Sequence, residues 1–216
     1  MPSYSPDGST IAFLRIVGPG QAELILIPAL GGPERRLAQI PIEDDPVWQS
    51  NKGVPTWSPN GRWLVVPELV KERAALFRVS VETGDNEQIT QPDLELDDKY
   101  PAISPDGTTL LFDRLPTFYS HGTLYTVRLD ENARPVEAPK PIASETPPIA
   151  GAAWTPNGTE VVACTPNGLY RIPVQARGQA QACSGDWFGG PGRRRFAAGQ
   201  PAGIRRRAWG RKRLEN

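Results

Sequence analysis

The chain has 216 residues, enough for one all-β domain or two small ones, and its formal net charge is zero. Its 21 glycines and 24 prolines make up about a fifth of the residues, as in turn-rich β proteins, and long runs with helical periodicity are absent. No stretch is apolar enough to span a bilayer, and the first residues lack the basic start and apolar core of a signal peptide.

A four-residue turn motif, Ser/Thr-Pro-Asp/Asn-Gly, occurs four times along the chain. The copies are residues 5–8, 58–61, 104–107 and 155–158, and their prolines are 53, 46 and 51 residues apart. Proline presets φ for the second position of a turn, Asp or Asn bonds to the local backbone, and glycine accepts a positive φ. Recurrence at about 50 residues predicts a repeat architecture.

Each turn is flanked by predicted strands. A large residue closes the strand before it: Tyr4, Trp57, Ile103 and Trp154. The strand after it has alternating apolar residues: Ile11 and Phe13, Leu64 and Val66, Leu110 and Phe112, Val161 and Ala163.

A second strand follows in every repeat, and its residues align in columns. One column is Leu24, Leu76, Leu124 and Leu169; the next is Ile25, Phe77, Tyr125 and Tyr170; the third is Ile27, Val79, Val127 and Ile172. After a further turn, short edge strands are predicted near residues 36–37, 88–89 and 141–142.

Four short strands in about 50 residues form a sheet that cannot bury both faces alone. We therefore predict an all-β protein, a β-propeller with about four blades of four-stranded antiparallel sheets. A β-sandwich is the alternative, but it gives no reason for one turn to recur at a fixed period. Trp57, Trp154, Phe112 and the first leucine column are expected to be buried between the sheets.

The order of aromatic residue, turn, apolar strand, Leu-Tyr strand and final Ile-Thr resembles the WD40-like propeller repeat of TolB and its relatives. It is clearest at residues 57–61, 76–79 and 88–90, and it covers about residues 1–185. The resemblance implies the fold. Members of the family include bacterial periplasmic scaffolds, sensory halves of bacterial regulators and the propellers of prolyl-oligopeptidase-type peptidases. A periplasmic location is suggested only by this resemblance.

The family usually has six or more blades, which this chain does not reach. Residues 1–185 are predicted to hold about four repeats, the first of them truncated, because the first turn lies close to Met1. The next turn is due near residue 206, where residues 203–207 have no proline and no Asp-Gly. We therefore expect a fragment of a longer propeller, an incomplete ring, whose uncovered sheet faces favour self-association.

Candidates for chemistry are few. The single histidine, His121, lies in a predicted loop, and no Gly-x-Ser-x-Gly sequence supplies a nucleophile. Cys164 and Cys183 lack metal-ligand spacing and are expected to be ordinary small apolar residues. No catalytic, cofactor-binding or metal-binding residue is therefore predicted, and the binding residues are left open.

Acidic residues are concentrated before two of the predicted blades, at residues 43–45 and 93–98. A cation or a basic partner could bind there, but a solvated loop between blades is the favoured interpretation. Among the six tryptophans, Trp48 and Trp63 are less regular than the repeat positions and are candidates for a binding surface. Trp187 and Trp209 lie outside the repeats.

Residues 186–216 carry a net charge of +7, whereas residues 1–185 carry −7. This Arg/Gly/Ala-rich tail is predicted to be disordered or out of frame. It could bind nucleic acid or an anionic membrane through counterion release. The abrupt end of the repeats favours the interpretation that it results from a frameshift or a wrongly assigned gene end.

The sequence thus favours a non-enzymatic propeller module for protein interaction or sensing, with a protein partner whose identity is open. The alternative is the propeller portion of a prolyl-oligopeptidase-type serine peptidase whose catalytic domain is absent from this chain.

Overall fold

The structure is a computed structural model that describes residues 2–43, 54–116, 121–146, 149–166, 168–174 and 181–182. At 143–146 and 181–182 it describes the backbone alone. The predicted tail (186–216), Cys183 and the tryptophans at positions 48, 187 and 209 lie outside these residues.

Sixteen strands over the described residues form four antiparallel sheets, each with four strands in chain order. Blade 1 consists of β1 (Ser3–Tyr4), β2 (Thr10–Gly18), β3 (Gln21–Pro28) and β4 (Arg35–Pro41). Blade 2 consists of β5 (Thr56–Trp57), β6 (Trp63–Val70), β7 (Arg73–Ser80) and β8 (Asn86–Gln88). Blade 3 consists of β9 (Asp97–Ile103), β10 (Thr109–Leu115), β11 (Gly122–Arg128) and β12 (Lys140–Thr146). Blade 4 consists of β13 (Gly151–Trp154), β14 (Glu160–Thr165), β15 (Gly168–Pro173) and β16 (Gln181–Ala182).

The predicted all-β architecture of four four-stranded blades is confirmed, and the described residues form no helix. Consequently they contain no helical segment of the length and apolarity needed to cross a membrane. The first strands of successive blades lie side by side, β1 next to β5, β5 next to β9 and β9 next to β13. No comparable contact joins blade 4 back to blade 1 among the described residues, so these four sheets form an open arc.

The four turns share one hydrogen-bonding pattern. In the first, the Ser5 hydroxyl donates to Asp7 at 2.6 Å and accepts from the Thr10 amide at 2.9 Å. The Gly8 amide donates to the Ser5 carbonyl at 2.8 Å, and φ of Gly8 is +72°. Bonds from Ser5 and then from Ser9 lower the pKa of Asp7 to about 2. The glycines at the same position, Gly61, Gly107 and Gly158, also have positive φ, as their turn type requires.

Each turn also packs on the turn of the preceding blade. A Cβ added to Gly61 would lie 4.0 Å from Cδ of Pro6. The corresponding distances are 3.4 Å from Gly107 to Pro59 and 3.8 Å from Gly158 to Pro105. The repeated motif therefore forms contacts between blades as well as turns within them. We call this row of contacts the turn stack.

Two tryptophans at the repeat position before the turn join the first strand of their own blade to the first strand of the preceding blade. The indole N–H of Trp57 donates to the Ser3 carbonyl of blade 1 at 3.2 Å. That of Trp154 donates to the Ala102 carbonyl of blade 3 at 2.9 Å. Blade 3 has Ile103 at this position, which has no such donor.

Three apolar clusters fill the three blade interfaces. The first contains Leu14, Leu24, Ile40, Trp57, Leu64 and Val66; the second contains Val65, Leu76, Leu110, Phe112 and Val127; the third contains Leu111, Leu124, Val161, Ala163 and Ile172. Because side chains alternate between the two faces of a strand, each inner sheet contributes one set of apolar residues to the interface with the preceding blade and the other set to the interface with the next blade.

The burial prediction holds for Trp57, Phe112, Leu24, Leu76 and Leu124. Trp154 is only partly buried, against the third cluster. The prediction is wrong for Leu169, because it lies on the face of blade 4 that no further described blade covers.

Candidate functional site

A cleft opens at the end of the sheets where the turn stack lies, and side chains from blades 1, 2 and 3 line it. It has two connected parts that share Arg35, Gly61 and Val81. We call the whole the interblade cleft. It brings together residues that are distant in sequence, because each blade presents two turns at this end: the turn before its second strand and the turn after its third strand.

The first part is a cavity of about 440 Å³ between the turns of blades 1 and 2. Its apolar lining contains four prolines, one tryptophan and three aliphatic residues: Pro6, Pro28, Pro33, Pro59, Trp57, Leu26, Ile27 and Val81. We call this part the proline pocket. Rigid rings surround it, so little side-chain entropy is lost when a ligand covers them.

The second part is a groove of about 760 Å³ that contains four arginines, Arg35, Arg62, Arg78 and Arg134. Three carboxylates, Glu82, Asp85 and Glu87, also line it. We call this part the arginine groove. Trp63 lies beneath it, half-buried, with the Arg78 guanidinium 4.1 Å from the centre of the indole ring. The sequence had singled out Trp63 as a possible surface residue, and the structure places it at this groove.

Arg78 and Arg134 share one carboxylate. Arg78 donates to Glu87 from Nε at 3.1 Å, and Arg134 donates to the same carboxylate at 3.1 Å. Arg78 also donates to the carbonyl of Asn132 at 2.8 Å, so it joins blade 2 to blade 3. The bonds from Arg134 and then Arg78 lower the pKa of Glu87 to about 2. Two positive charges thus face one negative charge.

The other two arginines have no carboxylate partner among the described residues. Arg35 of blade 1 donates to the Val81 carbonyl of blade 2 at 2.5 Å and to that of Glu82 at 3.4 Å. Arg62, which follows the turn of blade 2, is exposed, and its side chain forms no hydrogen bond or ion pair within the described part of the chain. Both guanidinium groups can therefore bind an anion.

The second half of the acidic run at residues 93–98 is not the solvated loop that the sequence favoured. Asp97 and Asp98 are 3% and 0% exposed and begin β9. Asp97 accepts from the Ala74 amide at 2.9 Å and pairs with Lys99 at 3.1 Å. Arg114 binds Asp98 through two hydrogen bonds, at 2.7 and 2.8 Å.

These two carboxylates are therefore partnered within the chain: Asp97 joins the start of β9 to blade 2, and Asp98 joins it to β10 of the same blade. Asp93 and Glu95 are exposed, as the loop interpretation predicted. Glu43 lies 3.6 Å from Lys99, and the two residues after it lie outside the described range. Within the described residues, no three His, Cys, Asp or Glu side chains are grouped as metal ligands would be.

A further buried carboxylate, Asp113 of β10, was not recognised from the sequence. Its side chain is fully buried, and neither oxygen has a hydrogen-bond partner among the described residues. A Cβ at Gly122 would lie 2.3 Å from its Oδ1, so only glycine leaves room for the carboxylate there. Burial, and then the charge of Asp98, raises the pKa of Asp113 to about 7.

His121 is exposed directly before the strand β11, and no hydrogen bond or ion pair joins its side chain to another described residue. Cys164 is a free cysteine, exposed on the outer face of blade 4. Cys183 lies outside the described residues.

No family model matches the chain. The uncharacterized peptidase YuxL of Bacillus subtilis is 27% identical over 147 residues, which cover 51% of this chain and 21% of that protein. The chain thus spans about a fifth of the curated relative that it matches.

Among solved structures, the putative TolB of Agrobacterium tumefaciens superposes with a TM-score of 0.57 at 20% identity, over 83% of this chain and 56% of that one. TolB of Acinetobacter baumannii gives 0.58 at 19% identity, over 79% and 40%. The propeller-containing prolyl oligopeptidase B of Galerina marginata gives 0.56 at 15% identity, over 82% and 27%. The chain therefore has the β-propeller fold found in TolB and in prolyl oligopeptidases.

Proposed function

We propose that this chain is a non-enzymatic β-propeller module that serves protein interaction or sensing, with the interblade cleft as its binding surface. The observation that supports this most strongly is the cleft itself, in which three blades combine an apolar pocket with four arginines, two of which have no carboxylate partner among the described residues. Apolar and aromatic surface next to arginine is the composition that protein-binding sites favour.

The sequence lacks the motif that a serine hydrolase would need, and this supports the non-enzymatic proposal. The sequence has no Gly-x-Ser-x-Gly motif and a single histidine. That histidine is exposed and lies outside the cleft. A nucleophile and a base must lie within hydrogen-bond reach of each other, and His121 forms no such pair with another described residue.

A photo-reactive p-benzoylphenylalanine placed at position 82 tests the proposal, because Glu82 is exposed and lines the arginine groove. We expect it to cross-link a partner protein in the cells that produce this chain. The same residue at position 94, where Leu94 is exposed in the loop before β9, serves as the matched control. A partner captured from position 82 alone supports the cleft, and the absence of specific adducts at both positions contradicts the proposal.

A second candidate function is the propeller portion of a prolyl-oligopeptidase-type peptidase. The likeness to prolyl oligopeptidase B and to the peptidase-named YuxL favours it. Reading the flanking DNA in all frames separates the two candidates. A downstream domain with a Gly-x-Ser-x-Gly motif decides for the peptidase, and an upstream winged-helix or kinase domain decides for a regulator.

A further inference from the structure

We propose that the interblade cleft binds an extended, acidic segment of a partner protein, with its carboxylates in the arginine groove and an apolar side chain in the proline pocket. This inference rests on the proposed function and specifies the chemistry of the partner.

The charge balance of the arginine groove is the first argument. Its four arginines exceed its three carboxylates, although residues 1–185 as a whole carry a net charge of −7. The remaining carboxylate of the cleft, Asp7, lines the proline pocket, where it accepts hydrogen bonds from Ser5 and Ser9. A concentration of arginine on an otherwise acidic body attracts an acidic ligand locally and repels a basic one.

The hydrogen bonds and ion pairs within the arginine groove determine which of its charged side chains a ligand can bind. Glu87 is held by two arginines, so it cannot neutralise a third. The Asp85 carboxylate accepts from the Thr83 hydroxyl at 2.7 Å within the turn after β7. Arg62 is exposed and Arg35 binds only backbone carbonyls, so these two guanidinium groups are the ones that a ligand carboxylate can reach.

The shape of the cleft supplies the second argument. The proline pocket and the arginine groove are adjacent, because Arg35, Gly61 and Val81 line both. A ligand that fills both must therefore carry an apolar group next to acidic groups, over more than one residue. An extended peptide meets this requirement, whereas a small inorganic anion would occupy the groove alone.

Fluorescence anisotropy with the full 216-residue chain tests the inference. The probe is a fluorescein-labelled peptide of sequence Gly-Glu-Leu-Glu-Gly-Glu-Leu-Glu. Two matched peptides replace every Glu by Gln or by Lys. We expect binding of the Glu peptide that weakens as salt rises, and at least about tenfold weaker binding of the Gln and Lys peptides.

Single substitutions locate the binding. Arg62→Ala removes an exposed side chain that has no partner in the described structure, so the fold is retained, and we expect about tenfold weaker binding of the Glu peptide. Arg128→Ala is the control, because Arg128 is also exposed but does not line the cleft. Any binding by the basic tail is equal in the two variants, so the difference between them reports the cleft.

Equal affinities of the Arg62→Ala and Arg128→Ala variants, or equal binding of the Glu and Gln peptides, would overturn the inference. If position 82 still cross-links a partner in cells, the proposed function stands and only the acidic chemistry is wrong. If cross-linking fails as well, both are wrong.

Discussion

Leu124 and Leu169 occupy the same position in successive blades, yet Leu124 is fully buried and Leu169 is 50% exposed. Leu124 belongs to the apolar cluster between blades 3 and 4. Leu169 lies on the equivalent strand of blade 4 and on the equivalent face of its sheet, but no described sheet packs against that face. The environment of this column is therefore determined by the next blade.

Truncation of these two leucines should have very different effects on stability. We expect Leu124→Ala to lower the free energy of unfolding by about 2–5 kcal/mol, because it creates a cavity in a closed interface. Leu169→Ala should lower it by less than about 1 kcal/mol, because the side chain is already half in water. Urea titrations of both variants measure the difference, and similar losses would contradict the open arc.

The uncovered face of blade 4 should promote self-association. Besides Leu169 it presents Cys164, which is exposed on the neighbouring strand. We expect the wild-type chain to form oligomers in light scattering and Leu169→Glu to shift it towards the monomer, because a charge on this face opposes apolar contact. A monomeric wild-type chain at high concentration would show that this face is covered by other means.

Gly84 should tolerate no side chain, because it touches the backbone of the preceding blade. A Cβ there would lie 2.3 Å from the carbonyl oxygen of Leu37, and φ of Gly84 is +80°. Gly8 has a similar φ of +72° with open space around it, so Gly8→Ala measures the backbone strain alone.

We expect Gly8→Ala to lower the free energy of unfolding by about 1 kcal/mol and Gly84→Ala by about 1–3 kcal/mol more. Thermal unfolding of the two variants gives the comparison. Equal losses would mean that blades 1 and 2 do not meet at this turn.

Asp113 should make the protein less stable as the pH rises. Because its pKa in the folded state is raised to about 7, the folded chain holds a proton that the unfolded chain has released. The stabilisation is fully present below the ordinary pKa of about 3.9 and is lost as the pH rises to about 7, by at most about 1.4 kcal/mol per pH unit.

Asp113→Asn should remove this component of the pH dependence. Glu68, whose pKa burial also raises to about 7, contributes in the same direction and stays in both proteins. Urea unfolding of wild type and variant between pH 4.5 and 7.5 isolates Asp113. Parallel curves over this range would show that Asp113 is ionised in the folded state.

Finally, the chain should hydrolyse neither peptide nor ester substrates, since the sequence has no Gly-x-Ser-x-Gly motif and its single histidine, His121, is exposed. Chromogenic peptide and ester assays of the purified chain provide the measurement. Turnover that disappears in His121→Ala would contradict the non-enzymatic proposal.

Repetition made the fold predictable. Four copies of one turn and three aligned columns are sufficient to place the strands, because each copy repeats the same local preferences for turn and strand. The exposure of Leu169 could not be predicted from its column, because burial depends on a neighbour that another part of the chain must supply.

The cleft was harder to predict because its contacts join residues about one repeat apart. Arg35 binds the carbonyls of residues 81 and 82, and Arg78 binds that of residue 132. Aligning the polar residues as well as the apolar ones at the repeat period could have revealed these pairs. The burial of Asp97 and Asp98 likewise depends on partners, Ala74 and Arg114, that lie in other strands.

The turn stack has a consequence for how many blades such a chain can have. Every contact in it joins only two successive copies, the glycine of one turn and the proline of the one before. Duplication of one repeat in the gene would therefore add a blade while every existing junction kept its partner. The motif directs how blades are joined, but it contains no information that stops their addition.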